Sequence, residues 1–160
     1  MTNYSHTQYG LIHWLCFLVG MVFCGLTLVL LPNPVVHQTF WLSGLVCLLL
    51  GLCIRSLTVT DCGDQLQIAF GPLPFIRRTI SYADIADAVV TKTTLLDGFG
   101  ANYMPGRGWT YNIHGWDCVE LRLTNGKSVR VGSDDSDALA EVVKDRIQRS
   151  GTANESSGSD

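Results

Sequence analysis

The chain has 160 residues, with 11 Lys and Arg against 14 Asp and Glu and a formal net charge of −3. None of those charges lies in residues 1–54, so an uncharged apolar block precedes a mixed polar one. This division excludes a single soluble globule, a disordered protein and a disulfide-rich mini-protein, and the lack of any basic run argues against a nucleic-acid partner.

Residues 1–10 form an N-terminal segment without Lys or Arg. Leu11 to Leu31 is an uncharged run of 21 residues. A helix of that length spans roughly 30 Å, the thickness of the hydrocarbon layer. A cleaved signal peptide fits poorly, because no basic residue precedes the run and the run exceeds the usual apolar length of about 7–15 residues. Pro32-Asn33-Pro34 stops the first helix. A second apolar stretch reaches Ile54 from about Val35, or from Phe40 if His37 and Gln38 stay outside. The expectation is a transmembrane hairpin over 11–54, with spans 11–31 and about 35–54. Tyr4, Tyr9 and Trp14 on one side, and Phe40 with Trp41 on the other, suit the interfaces. His13 lies one turn inside the first span and reads as a neutral interfacial histidine.

Small residues share a face in each helix: Cys16, Gly20 and Cys24 in the first, and Gly44, Cys47 and Gly51 in the second. Such faces let helix backbones approach closely in lipid. Arg55 follows the second span at once, and Arg77 and Arg78 come later, whereas loop 32–39 carries no basic residue. The positive-inside bias then places both termini in the cytoplasm, with Arg55, Arg77 and Arg78 near the membrane.

From Ser56 onward the pattern is that of short strands. Ser56–Thr60, Gln65–Phe70, Arg77–Tyr82, Ala86–Thr94, Trp109–Ile113, Asp117–Leu123 and Ser128–Val131 give seven, separated by turn residues that include Asn125-Gly126. Asp134, Asp135 and Asp137 suit the start of a helix over 138–149, where Leu139, Val142, Val143 and Ile147 form the apolar stripe and Lys144, Arg146 and Arg149 crowd the end. Residues 150–160 are small and polar and read as a disordered tail. The expected fold is a membrane α-hairpin plus a mainly-β domain over 55–149, a seven-stranded antiparallel barrel or sandwich capped by one helix.

Over residues 57–149 the chain resembles a bacterial pleckstrin-homology-like domain attached to a membrane hairpin. The resemblance is carried by Leu57-Thr58-Val59, Phe70-Gly71-Pro72, Ile80-Ser81-Tyr82-Ala83-Asp84-Ile85 and Gly98-Phe99-Gly100. Tyr111-Asn112-Ile113-His114-Gly115, Val119-Glu120-Leu121 and Val131-Gly132-Ser133-Asp134-Asp135 complete it. Ala101-Asn102 departs from the apolar–Arg pair expected at that place. The resemblance implies a membrane-anchored interaction module in the bacterial inner membrane and supplies no catalytic residue.

Chemistry is sparse. The six cysteines, at 16, 24, 47, 53, 62 and 118, form no C-x-x-C pair and no zinc-ligand set, and free thiols suit the cytoplasm. His114 and Cys118 flank a turn rather than a helical face, so no metal is expected. Gly98-Phe99-Gly100 lacks the third glycine of a dinucleotide loop, and no nucleophile motif surrounds the serines. No cofactor is expected and the chain does not read as an enzyme.

The glycine-rich stretch 95–108 reads as an irregular loop and is the leading site. Asp97, Tyr103, Met104, Arg107 and Trp109 could grip a peptide, a lipid headgroup or a neighbouring copy. The expected partners are the bilayer and a protein, or a second copy of the chain. The alternatives are a lipid-handling membrane protein or enzyme working through this loop, with His114 or Asp97 as its titratable group, and a structural subunit whose hairpin packs in a larger membrane complex.

Overall fold

The computed structural model describes residues 4–30, 33–72, 76–94, 100–106 and 108–156. Among the described residues the chain folds as helices combined with two β-sheets, one of four strands and one of five. Helix α1 spans Ile12–Leu30 and α2 spans Pro34–Cys53. The second begins where the prolines require: Asn33 caps it by accepting from the backbone N–H of Val35 and Val36, and Pro34 occupies a first-turn position where no N–H is needed.

The two helices pack antiparallel through the small-residue faces. A Cβ on Gly44 would sit 2.6 Å from Cys24 Sγ, and one on Gly20 would sit 3.0 Å from the Gly44 carbonyl oxygen. Gly51 faces Phe17 and Cys16 in the same way, and Phe23 meets Phe40 edge-on at 5.5 Å. Cys47 is half-buried. The outward faces carry Leu15, Leu18, Met21, Leu28, Leu42, Leu49 and Leu50, all exposed. Of the two, α2 is long and apolar enough to cross a membrane by length and composition, and α1 supplies a shorter apolar stretch, Ile12–Leu28.

Strand β1, Ser5–Tyr9, lies in the N-terminal segment, where no strand is expected from the residue pattern. It pairs antiparallel with β2, Ser56–Asp61, from Ser5↔Thr60 to Tyr9↔Ser56. Below that pair the Gly10 N–H donates to the Arg55 carbonyl at 3.2 Å. The helical hairpin is therefore inserted into a β-hairpin, and both of its ends leave from one edge of one sheet. The four-stranded sheet continues with β3, Gln65–Gly71, and β4, Arg77–Ser81, in the order β1-β2-β3-β4.

A 3₁₀ turn, Tyr82–Asp84, leads to β5, Ile85–Lys92. The second sheet adds β6, Gly100–Met104, β7, Gly108–Asn112, β8, Asp117–Leu123, and β9, Ser128–Gly132, in the order β5-β8-β9-β7-β6. The expectation of seven antiparallel strands is corrected here to nine strands among the described residues, with β7 and β9 parallel from Trp109↔Val129 to Tyr111↔Val131. The two additional strands, β1 and β6, are polar or glycine-containing, and each exists because a neighbour offers it a hydrogen-bonding edge.

Helix α3, Ser136–Ser156, closes the domain. It runs past Arg149, beyond the helix expected from the sequence, and the Ser150 hydroxyl donates to the Arg146 carbonyl at 2.9 Å on the way. Leu139, Ala140 and Val143 enter a core built from Leu57, Leu66, Ile68, Phe70, Tyr82, Leu121 and Val131. Each such fully buried aliphatic side chain contributes roughly 1.5–3 kcal/mol by leaving water.

One ionic cluster lies inside this core. Asp61 is 1% exposed. Its Oδ2 accepts from Arg146 Nε at 2.9 Å and Nη2 at 2.6 Å. Its Oδ1 accepts from the Tyr82 hydroxyl at 3.1 Å and the Gly63 N–H at 2.9 Å. The cluster ties the end of β2 to α3. The hydrogen bonds that Arg146 donates to Asp61 hold its guanidinium further above its already high pKa, and burial, reinforced by the Asp61 charge, pushes the Tyr82 phenol up.

Candidate functional site

The described part of the stretch expected to be an irregular loop, residues 100–106 and 108, belongs to a β-hairpin. Strands β6 and β7 pair from Gly100↔Asn112 to Met104↔Gly108, which places Tyr103 directly opposite Trp109. Their rings stand 5.5 Å apart at 56°. Behind Trp109 the rings of Tyr111 and then Phe70 continue inward at 6.1 and 6.2 Å, so a chain of aromatics joins this hairpin to the core. Gly106 and Gly108 both take φ of +81°, a conformation that side chains disfavour. At Gly108 a Cβ would also overlap the Ser128 carbonyl oxygen of β9, so glycine is what lets β7 approach its parallel partner.

Tyr103 and Trp109 line a cleft of about 450 Å³. Arg78 enters it from β4, Lys127 comes from the β8–β9 turn, and Leu123 adds an apolar wall. Tyr103 is 62% exposed and Trp109 38%, far more than core aromatics. Among the described residues the lining holds two cations and no carboxylate, and neither Arg78 nor Lys127 has an acidic partner. Aromatic faces beside uncompensated cations favour an anionic group carried on an apolar or aromatic body.

The sequence-predicted residues divide accordingly. Tyr103 and Trp109 meet in the cleft, and Met104 lies at the turn between their strands. Asp97 and Arg107 lie outside the described residues. Of the basic residues expected near the membrane, Arg78 shares the inner face of β4 with Ile80 and lines the cleft, while Arg77 alternates to the other face. Arg55 stays at the foot of α2, bonded through its carbonyl to Gly10. Sequence reading missed Lys127 as a site residue. Its Asn-Gly turn is legible, but the proximity of that turn to Trp109 is set by the parallel β7–β9 pair.

A second polar cluster organises the opposite end of β7. The Asn112 amide donates to the Gly115 carbonyl at 3.1 Å and to Thr93 Oγ1 at 3.3 Å, and its oxygen accepts from the His114 N–H at 3.2 Å. A Cβ on Gly132 would overlap that amide, and Gln8 of β1 donates to the Gly132 carbonyl at 2.8 Å. A Cβ on Gly10 would fall 2.7 Å from the Ile113 carbonyl oxygen, so this turn abuts the start of α1. His114 itself is exposed and meets Asn112 through its backbone N–H. His13 lies at that junction, with Nδ1 2.5 Å from the Gly10 carbonyl oxygen.

Among the described residues no group of three or more His, Cys, Asp or Glu side chains is placed to hold a metal. The chain matches no protein-family model, and no curated protein matches it.

Proposed function

We propose that this chain is a non-catalytic, membrane-anchored interaction module of pleckstrin-homology-like type, which binds an acidic segment of a protein partner at the cytoplasmic face of a bacterial inner membrane. The anchor is the α1–α2 hairpin, whose outward leucines are exposed and compatible with lipid. The pairing of β1 with β2 favours one side of the bilayer for both hairpin ends, and Arg55 beside them favours the cytoplasmic side. The pleckstrin-homology-like reading rests on the sequence resemblance together with a β core closed by a C-terminal helix.

The observation that carries the reading is the cleft, in which Tyr103 and Trp109 face Arg78 and Lys127 with no carboxylate among the described lining residues. An acidic peptide whose apolar side chain lies on the two rings would satisfy both features. Interface aromatics of this kind concentrate binding energy, so truncating both rings removes at least about 2 kcal/mol, or about 30-fold in affinity.

The test is purification of the tagged full chain from native membranes in mild detergent, beside the Tyr103→Ala/Trp109→Ala variant, with co-purifying proteins and lipids identified by mass spectrometry. A protein partner lost in the variant, while its circular dichroism stays native, is the expected result. A partner retained in full would move the interaction to the hairpin or another face, and loss of a lipid alone would favour a headgroup ligand in the cleft.

A further inference from the structure

The outer face of the four-stranded sheet has a composition unlike the rest of the domain. Alternation sends Leu57, Val59, Ile68, Phe70 and Ile80 inward, leaving Ser5, Thr7, Thr58, Thr60, Gln67 and Thr79 outside. The hydroxyls of Thr7 and Thr58 are 2.9 Å apart across the strand pair. The one acidic residue within these four strands, Asp61, points inward to Arg146. The face is thus rich in hydroxyls and free of carboxylates, with Arg77 as its charged residue, on a chain whose net charge is −3.

At the foot of this face, where α2 ends, lies a concavity of about 470 Å³ lined by Tyr9, Arg55, Ser56, Thr58 and Pro72. Arg77 pairs with Ala69, which also lines the concavity, so its side chain leaves from the same face two strands away from β2. Arg77 is level with Thr58, three residues along β2 from Arg55, so with strands about 4.8 Å apart and about 3.3 Å per residue the two arginine backbones lie about 14 Å apart, on either side of the opening. Among the described residues neither arginine has an acidic partner. Arg55 follows the span directly, at the depth of lipid phosphates if α2 crosses the bilayer, and Tyr9 stands at the same level on β1.

We propose that this concavity receives the phosphate of an anionic phospholipid from the leaflet in which the hairpin begins and ends. Arg55 and Arg77 supply charge, and the hydroxyls of Tyr9, Ser56 and Thr58 supply donors to the non-bridging oxygens. The site is separate from the Tyr103–Trp109 cleft and orients the sheet so that its foot lies on the headgroups. It rests on the membrane-anchor reading.

The test uses the full chain in neutral detergent, titrated with phosphatidylglycerol or phosphatidylcholine and observed by native mass spectrometry. A basic residue at an anionic surface is worth about 1 kcal/mol, or about fivefold in affinity. The expected result is retention of phosphatidylglycerol over phosphatidylcholine, with that preference falling about 25-fold in Arg55→Gln/Arg77→Gln. Equal retention of the two lipids, or an unchanged preference in the variant, would overturn the site. Displacement of phosphatidylglycerol by excess inorganic phosphate would assign the concavity to free phosphate and overturn the lipid assignment. Carbonate extraction of native membranes separates the two readings. Release of the chain would refute the anchor itself, whereas a chain kept in the membrane with no lipid preference refutes the headgroup site alone.

Discussion

Asp61→Ala is expected to lower the stability of the β domain by about 4 kcal/mol. The substitution removes the acceptor shared by the buried Tyr82 hydroxyl and the half-buried Gly63 N–H, and water cannot easily replace it at Tyr82. A buried donor left unpaired costs about 1–3 kcal/mol. Arg146, 15% exposed at the side-chain level, can turn partly to solvent, so its loss of a partner adds less. In urea, with a slope of about 2 kcal/mol per molar, the midpoint drops by about 2 M. Asp61→Asn keeps an oxygen toward Tyr82 and Gly63 and is expected to retain much of the stability. Denaturation of the full chain in detergent micelles, followed by far-ultraviolet circular dichroism, compares the two. A loss below about 1 kcal/mol for the alanine variant would mean that the cluster does not hold β2 to α3.

The same cluster sets the alkaline limit. Burial and the neighbouring Asp61 charge raise the Tyr82 pKa above its ordinary value of about 10. Above pH 10 the unfolded chain releases a phenolic proton that the folded chain retains. The unfolded state then binds fewer protons, so stability falls as pH rises, by up to about 1.4 kcal/mol per pH unit. Below pH 10 both states hold the proton and the contribution is complete. Tyr82→Phe is expected to cost about 1.5–3 kcal/mol at neutral pH, where it removes a hydrogen bond to a charged acceptor. Its stability is also expected to fall less steeply between pH 10 and 11 than that of the natural chain. Parallel slopes for the two proteins would place the phenol in contact with water.

The parts of this architecture that were legible in the sequence are those determined locally. The helices follow from an uncharged run broken by Pro32-Asn33-Pro34, and Gly20, Gly44 and Gly51 lie where a Cβ would press on the partner helix. Strands such as β3 and β8 announce themselves by alternation, since one side chain in two must enter the core. Strand β1 carries no such signal. Its single fully buried side chain, Gln8, is polar and is held by the Gly132 carbonyl, a partner 124 residues away. Strand β6 begins at a glycine, and its burial is intermediate at every position but Tyr103, so its pairing with β7 rather than any apolar face defines it. The aromatic half of the cleft was readable because exposed Tyr and Trp near a glycine turn are unusual. Its basic half was not, because Arg78 and Lys127 come together only when the two sheets fold against each other. The helical extension past Arg149 was missed because Ser150-Gly151-Thr152 has low intrinsic helix propensity.

Two glycines of one turn separate the conformation of this cleft from its packing. Gly106 and Gly108 share φ of +81°, so an alanine at either pays a similar backbone cost of about 1–2 kcal/mol. Open space surrounds a Cβ at Gly106, whereas at Gly108 it overlaps the Ser128 carbonyl oxygen. That oxygen belongs to the backbone of β9 and cannot rotate aside. Gly108→Ala therefore forces β7 to lift from β9 at Trp109↔Val129, the first pair of the parallel ladder. The displacement draws Trp109 away from Val129 and from the turn that carries Lys127, and so widens the gap between the aromatic and basic walls. Gly108→Ala is expected to lose about 3 kcal/mol or more in urea denaturation and to lose the partner that the cleft binds. Gly106→Ala is expected to lose about 1–2 kcal/mol and to keep that partner. Equal losses in the two variants would show that the close approach of β7 to β9 contributes little and that the cleft is set by the hairpin alone. A stable Gly108→Ala variant that still binds would remove the parallel pair from any role in holding Trp109 opposite Arg78 and Lys127.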